Sequence, residues 1–309
     1  MAIPLLIDTD PGVDDALALL MALAEPAVDV VALTVAAGNV GLKHTVANTL
    51  KLLEVCARDV PVYAGAPEPL LHPAADAAYV HGRDGFGDTG YSPAQRRAEA
   101  EHAALAILRY SHEHAGRLQM VMLGPLTNLA LALKLDPELP QRVPRLLVMG
   151  GAVTGCGNTS VPAEFNIGFD PEAAHIVLSN WPRYELVDWE ATLRHPLPLA
   201  EFQSWLAVDG PRAKFYDAIS RSTRERSAAQ RSGDWHSADG LAMAAALEPG
   251  VVLESFERPL AVELEGRHTR GATVVDWEQR SRQPSTCRII TRIDPARFHA
   301  RVRAALAAA

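Results

Sequence analysis

Short apolar runs alternate with stretches of helical period through about residue 190. Runs at 3–7, 28–35, 60–63, 118–123, 145–149 and 184–187 predict strands, several of them rich in Val, Leu and Ile. Helices are predicted over 16–23, 42–57, 97–114 and 126–135, and again after Pro171. Such alternation predicts an α/β fold with a mainly parallel central sheet flanked by helices on both faces. Beyond Pro196 the pattern turns more helical, then closes with apolar runs at 260–264, 271–275 and 288–291 and an Ala-rich helix from about Pro295. No repeat, low-complexity tract or linker interrupts it, so residues 1–309 are read as one domain.

Two long stretches, 66–93 and 150–170, lack clear period. Loops of that length in a compact domain are usually functional or disordered. The first contains His81-Gly82-Arg83-Asp84-Gly85-Phe86-Gly87-Asp88; the second holds Gly150-Gly151-Ala152-Val153, Asn158 and Glu164-Phe165-Asn166. Glycines of the first permit tight turns or close approach to a ligand.

The most informative chemistry sits directly after the first run, where Asp8, Asp10, Asp14 and Asp15 crowd into Asp8-Thr9-Asp10-Pro11-Gly12-Val13-Asp14-Asp15. These acids fall at a strand's carboxyl end, where open α/β sheets bind ligands. Crowded carboxylates repel one another unless a cation or protons compensate, and their hard oxygens suit Ca²⁺ or Mg²⁺ better than Zn²⁺. The alternative is electrostatic: Asp14 and Asp15 favour the helix N-terminus while Asp8 and Asp10 are solvated turn residues. Gly38-Asn39 after the second run and Leu123-Gly124-Pro125-Leu126-Thr127-Asn128 after the fourth occupy equivalent strand ends. Singly each reads as a turn or helix start; together they line one crevice with carboxylates, amides and free carbonyls, which suits a polyhydroxylated ligand held against a cation.

Composition narrows the partners. A net charge of −8 argues against nucleic acid or an anionic membrane and favours a small molecule. Cys56, Cys156 and Cys287 are too few and too scattered for a disulfide framework, which fits a reducing compartment. No basic segment precedes the first apolar run, and no run approaches the roughly 20 apolar residues needed to span a bilayer, so a cytoplasmic location is expected.

In order and spacing, Asp8-Thr9-Asp10-Pro11-Gly12-Val13-Asp14-Asp15, Ala37-Gly38-Asn39, Leu123-Gly124-Pro125-Leu126-Thr127-Asn128, Met149-Gly150-Gly151, Ala163-Glu164-Phe165-Asn166-Ile167 and Asp170-Pro171-Glu172-Ala173-Ala174 closely resemble the inosine-uridine-preferring nucleoside hydrolase family. The resemblance covers nearly the whole chain. It implies a nucleoside hydrolase-like fold, a Rossmann-like open sheet, and a Ca²⁺-dependent hydrolase that cleaves ribonucleosides to ribose and free base with a Ca²⁺-bound water. It further implies a metal held by Asp10, Asp15, the Leu123 carbonyl and Asp239, ribose hydroxyls bound by Asp14, Asn39, Asn158, Glu164 and Asn166, and a homodimer or homotetramer. Asp10 is assigned as ligand and general base together, and Asp8 as a structural acid that holds the loop through backbone hydrogen bonds.

One departure bears on mechanism. Family members carry a His immediately before the late Asp ligand to protonate the departing base, and here that position is Ala238. His236 and His81, the latter matching a family His, are the substitute acids, since His donates well near neutral pH. Stacking of the base on Trp235 is a third route. The base pocket is expected from His81, Phe165, Trp235 and His236, with the residues around it supplied by 80–88 and 215–236. Two other readings follow from particular residues: a nucleoside- or ribose-binding protein with weakened catalysis, because of Ala238, and a phosphatase using the Asp-x-Asp turn. The Arg-rich segment 221–226 reads as a solvated helix face or as a phosphate site.

Overall fold

A computed structural model of the chain describes residues 2–230 and 234–308. The strands are β1 (Ile3–Thr9), β2 (Val28–Val35), β3 (Val62–Ala64), β4 (Gln119–Met122), β5 (Arg145–Met149), β6 (Tyr184–Val187), β7 (Leu197–Pro198), β8 (Asp234–Trp235), β9 (Val252–Arg258), β10 (Leu260–Val262), β11 (Thr273–Val275) and β12 (Cys287–Ile293). Eight of them form one sheet in the order β3-β2-β1-β4-β5-β6-β12-β9, parallel throughout except for β9, which runs antiparallel to β12. The expected α/β architecture is therefore the observed one.

Strand period sorts the core onto two faces. Leu5, Ile7, Val121, Leu147 and Met149 point into one cluster, whereas Leu6, Met120, Met122, Leu146 and Val148 point into the other. The helix Val13–Ala24 is apolar almost all round and buries nearly every side chain, packing against Ala238–Leu247 and Pro295–Ala307. The chain leaves β1 to one side for β2 and returns to the other side as β4, so the sheet order reverses at β1. The crevice at the carboxyl ends of β1 and β4 is the position where such sheets bind ligands.

Several expected elements shift. The helix expected over 97–114 begins only at Ala103, capped by the His102 side chain accepting from Ala104 N (3.1 Å). Ahead of it Glu99 N donates to the Val62 carbonyl (2.8 Å), so that stretch runs extended beside β3. The runs at 260–264 and 271–275 shrink to β10 and β11, a small antiparallel pair outside the main sheet. Both stretches expected as loops contain one short helix, Ala78–His81 and Phe165–Phe169. Among the described residues, no helix is long and apolar enough to cross a membrane.

Candidate active site

The acid loop is built by hydrogen bonds to its own backbone and to side chains of neighbouring strands and loops. Asp15, in the first helical turn, accepts from Gly12 N (3.1 Å), the N3-to-N-cap half of a capping box, and from Thr9 Oγ1 (2.6 Å), Asp10 N (3.3 Å) and Asn39 Nδ2 (2.9 Å). Asp10 Oδ2 accepts from Asn39 N (2.7 Å), while its Oδ1 is buried without a partner, as is Asp14 Oδ1. Asp8 differs from its expected role. Its Oδ2 accepts from Thr34 Oγ1 (2.6 Å) and Asn128 Nδ2 (2.9 Å), so it ties β1 to β2 and to the helix after β4 through side chains rather than through the loop backbone.

Glycines make room for these acids. A Cβ on Gly38 would lie 2.0 Å from Asp10 Oδ2, and one on Gly124 would lie 2.5 Å from Asp10 Oδ1. Both sequence motifs therefore owe their glycine to the close approach of the Asp10 carboxylate. Gly38→Ala is expected to displace that carboxylate and lower turnover at least about tenfold, a drop that steady-state assay and a thermal melt of the same sample separate from simple unfolding. Wild-type kinetics in that variant would show that the Asp10 position is not critical.

Burial dominates the electrostatics. It pushes Asp8 up to about 7 and Asp14 and Asp15 up to about 6, with the neighbouring acids adding repulsion for Asp8 and Asp15. Asp10 and Asp239 are raised well above the usual carboxylate range, first by burial and then by the charge of Asp15. Oxygens of Asp14, Asp15 and Asp239 lie within 4.8 Å of one another, close enough to share one metal ion. Of the residues expected to hold the metal, Asp15 and Asp239 fall in this group and Asp14 joins them. Asp10 stands beside it with its unpartnered Oδ1. The Leu123 carbonyl faces the same cavity and accepts from Asn166 Nδ2 (2.6 Å), which leaves it a second lone pair. This all-oxygen set fits a hard divalent cation.

The acids open into a cavity of about 330 Å³ whose walls include Asp14, Asn39, His81, Leu123, Asn158, Glu164, Phe165, Asn166, Trp235, His236 and Asp239. Glu164 caps the helix Phe165–Phe169, accepting from Asn166 N (2.9 Å) and Ile167 N (3.2 Å), and also takes Gly151 N (2.8 Å). Burial raises it to about 7 against these bonds. Asn158 Oδ1 accepts from Phe165 N (2.8 Å), closing the long loop onto the same helix. The Leu126-Thr127-Asn128 end of its motif proves architectural: Thr127 Oγ1 donates to Asp170 (2.7 Å), and Asn128 bridges Asp8 to Ala66 N.

The two histidines differ. His81 Nδ1 accepts from Val13 N (3.1 Å), which leaves the ring proton on Nε2, and burial pushes its pKa down to about 4 against the pull of Asp15. At neutral pH it is an uncharged donor. His236 follows β8 half-buried in the cavity wall, one residue before Ser237, which caps the helix carrying Ala238 and Asp239 by accepting from Gly240 N (3.3 Å). The Ala238 methyl is buried and also lines the cavity.

The base-pocket segments contribute less than expected. From 80–88 only Val80 and His81 line the cavity; Phe86 is fully buried and Asp84 Oδ1 closes the turn on Phe86 N and Asp88 N. Residues 231–233 of the other segment lie outside the described residues. Phe215 packs against Phe86 and Tyr91 instead. The Arg-rich segment divides three ways: Arg221 pairs with Asp217 on the exposed face, Arg224 is buried against Asp217, and Arg226 reaches the cavity and donates to the carbonyls of Tyr79 and Val80. Ala77, Tyr79, Thr159 and Trp189 line the cavity without having been expected, and Thr223 does so from the expected 215–236 stretch. Trp189 had a usable signal, since it lies just past the end of the predicted strand at 184–187.

Fold and site together define an α/β enzyme whose switch-point crevice joins a nest of carboxylates to a compartment walled by aromatic rings. The chain belongs to the family of inosine-uridine preferring nucleoside hydrolases, whose model matches residues 5–300. It is 37% identical over 299 residues to the non-specific ribonucleoside hydrolase RihC of Klebsiella pneumoniae, covering 96% of each chain. Among solved structures, an inosine-guanosine nucleoside hydrolase superposes with a TM-score of 0.91 at 34% identity over 99% of each chain. A purine-preferring ribonucleoside hydrolase from Gardnerella vaginalis does so at 0.91 and 29% identity over 98% of each. The protein is accordingly an enzyme that hydrolyses nucleosides to ribose and base, and the phosphatase reading is displaced.

Proposed function

We propose that the chain hydrolyses ribonucleosides of broad base range, with Ca²⁺ as its cofactor, Asp10 as general base and His236 as the acid that protonates the departing base. The carrying observation is one cavity that joins Asp14, whose Oδ1 is unpartnered, and Asp239 to an aromatic-walled end bearing His236, with Asp10 held just behind them by its bond to Asn39 N. Asp10, Asp14, Asp15 and Asp239, with the Leu123 carbonyl, would hold the cation. When bound there, Ca²⁺ supplies an acidified water and anchors sugar hydroxyls. Asn39, Asn158, Glu164 and Asn166, with Asp14, bind the ribose hydroxyls. Departure of the base builds positive charge at the anomeric carbon, and the surrounding carboxylates stabilise it. Asp10 removes the proton of the attacking water.

His236 is preferred as acid because His81 gives its Nδ1 to Val13 N and is uncharged at neutral pH. His236→Ala is expected to lower kcat by roughly a hundredfold or more, and His81→Ala by less. An unchanged rate in the first variant would move the role elsewhere. Assembly as a homodimer or homotetramer goes with this reading through the family resemblance alone, and a cytoplasmic location with the reducing compartment that the three scattered cysteines suggest.

The reaction class is tested with inosine in phosphate-free ¹⁸O water. Hydrolysis puts the label on the anomeric oxygen of ribose and releases hypoxanthine. A requirement for phosphate, or unlabelled sugar at first turnover, would overturn it.

A further inference from the structure

We infer that Trp189 is the stacking wall for the leaving base and the residue that favours purines over pyrimidines, an inference that rests on the ribonucleoside reading above. The cavity carries four large aromatic side chains, Tyr79, Phe165, Trp189 and Trp235, beside its two histidines. They are not equivalent. Trp235, the natural stacking candidate from sequence, is only 4% exposed and packs into the core cluster beneath the sheet, so it offers the cavity little of its ring. Tyr79 is 67% exposed on a short helix at the rim. Phe165 leans on Phe169, ring centroids 5.7 Å apart.

Trp189 is half-buried in the wall and its backbone is fixed from three sides. Its own N–H donates to the Gly151 carbonyl (2.9 Å). On one flank, buried Asp188 accepts from Val153 N (3.0 Å) and Ala191 N (2.8 Å). On the other, buried Glu190 accepts from Thr154 N (3.0 Å), Thr154 Oγ1 (2.7 Å) and Cys156 N (3.1 Å). The Asp188-Trp189-Glu190 turn is thus locked to the segment 151–156, whose continuation supplies Asn158 and Glu164. Gly151 N in turn donates to Glu164 (2.8 Å). The backbone that carries the indole is therefore tied to the segment that supplies the groups assigned to ribose, so a sugar seated on those groups brings its base toward the ring.

Position along the sheet agrees with this division. Trp189 follows β6, three strands across from the acids that follow β1, a separation of about 14 Å at the usual strand spacing. Trp189 therefore stands across the crevice from the acids that follow β1. Aromatic stacking is tolerant of base identity because every base has a π face, and a bicyclic purine covers more of an indole than a pyrimidine does. Contact of this kind is made with bound substrate as well as with the transition state, so it acts mainly on KM.

The test compares wild type, Trp189→Phe and Trp189→Ala on inosine, guanosine, uridine and cytidine. Trp189→Ala is expected to raise KM for the purine ribonucleosides roughly tenfold to a hundredfold and for the pyrimidines severalfold less, with kcat carrying the smaller share. Trp189→Phe recovers most of the loss. An equal loss on all four substrates, or no rise in KM in a variant that melts like wild type, would overturn the inference. Failure of the ribonucleoside reading is seen separately, as absence of turnover by the wild type. In that event calorimetric binding of inosine and uridine to the same three proteins still decides the role of Trp189: a purine-selective weakening supports it and an unselective or absent change refutes it.

Discussion

Asp10→Asn is expected to lower base release by roughly a thousandfold or more while leaving the protein folded. Oδ2 at this position only accepts, from Asn39 N, and an amide oxygen serves that bond equally well. Oδ1 is buried and has no hydrogen-bond partner, which leaves it for the roles proposed above. Substitution by an isosteric amide removes the proton acceptor and one charge of the cation site. It also removes one member of a mutually repelling cluster whose pKa is driven up by burial and by Asp15. The thermal midpoint of the metal-free variant is therefore expected to equal or exceed that of metal-free wild type. Loss of activity without loss of stability is the diagnostic pair; near-normal turnover would remove Asp10 as base.

Stripping divalent cations is expected to switch turnover off, and restoring Ca²⁺ to switch it on. The same cations should stabilise the fold in a pH-dependent way. Asp8, Asp14 and Asp15 have folded values of about 7, 6 and 6, above the ordinary carboxylate value of 3.8. Their contribution to stability is thus fully present below that ordinary value and is lost as pH rises through about 6 to 7. His81 acts oppositely through its lowered value of about 4, but it is one group against several. Calcium competes with the protons of the acid cluster, so the rise in melting midpoint on adding it should be larger near about pH 7.5 than near about pH 5. Equal increments at both, or activity that survives exhaustive chelation, would contradict a cation site among these acids.

Local signals were legible in the sequence and tertiary ones were not. The acid loop could be read because its acids, its strand and its helix are contiguous, and the sheet because its central strands are apolar on both faces. Strand β9 escaped notice because an edge strand with mostly exposed side chains shows no apolar alternation; only its pairing to β12 defines it. The short helices at His81 and Phe165 depend on contacts made far along the chain, such as Val13 N to His81 Nδ1 and Asn166 Nδ2 to the Leu123 carbonyl. Arg226 could not be told from its solvated neighbour Arg221 by composition, since both are exposed and only the fold sets one of them against the cavity. Trp189 lies past a strand end like the other site residues, yet no acid or amide motif marked it as a binding residue.

The most direct test of the account is release of free base by purified protein from inosine, guanosine, adenosine, uridine and cytidine and from their 2′-deoxy forms, with and without added Ca²⁺. The account predicts Ca²⁺-dependent release from ribonucleosides and little or none from the deoxy forms, because it assigns the carboxylates and amides of the crevice to the ribose hydroxyls. Release that is independent of metal, or as fast from 2′-deoxynucleosides as from ribonucleosides, would contradict it.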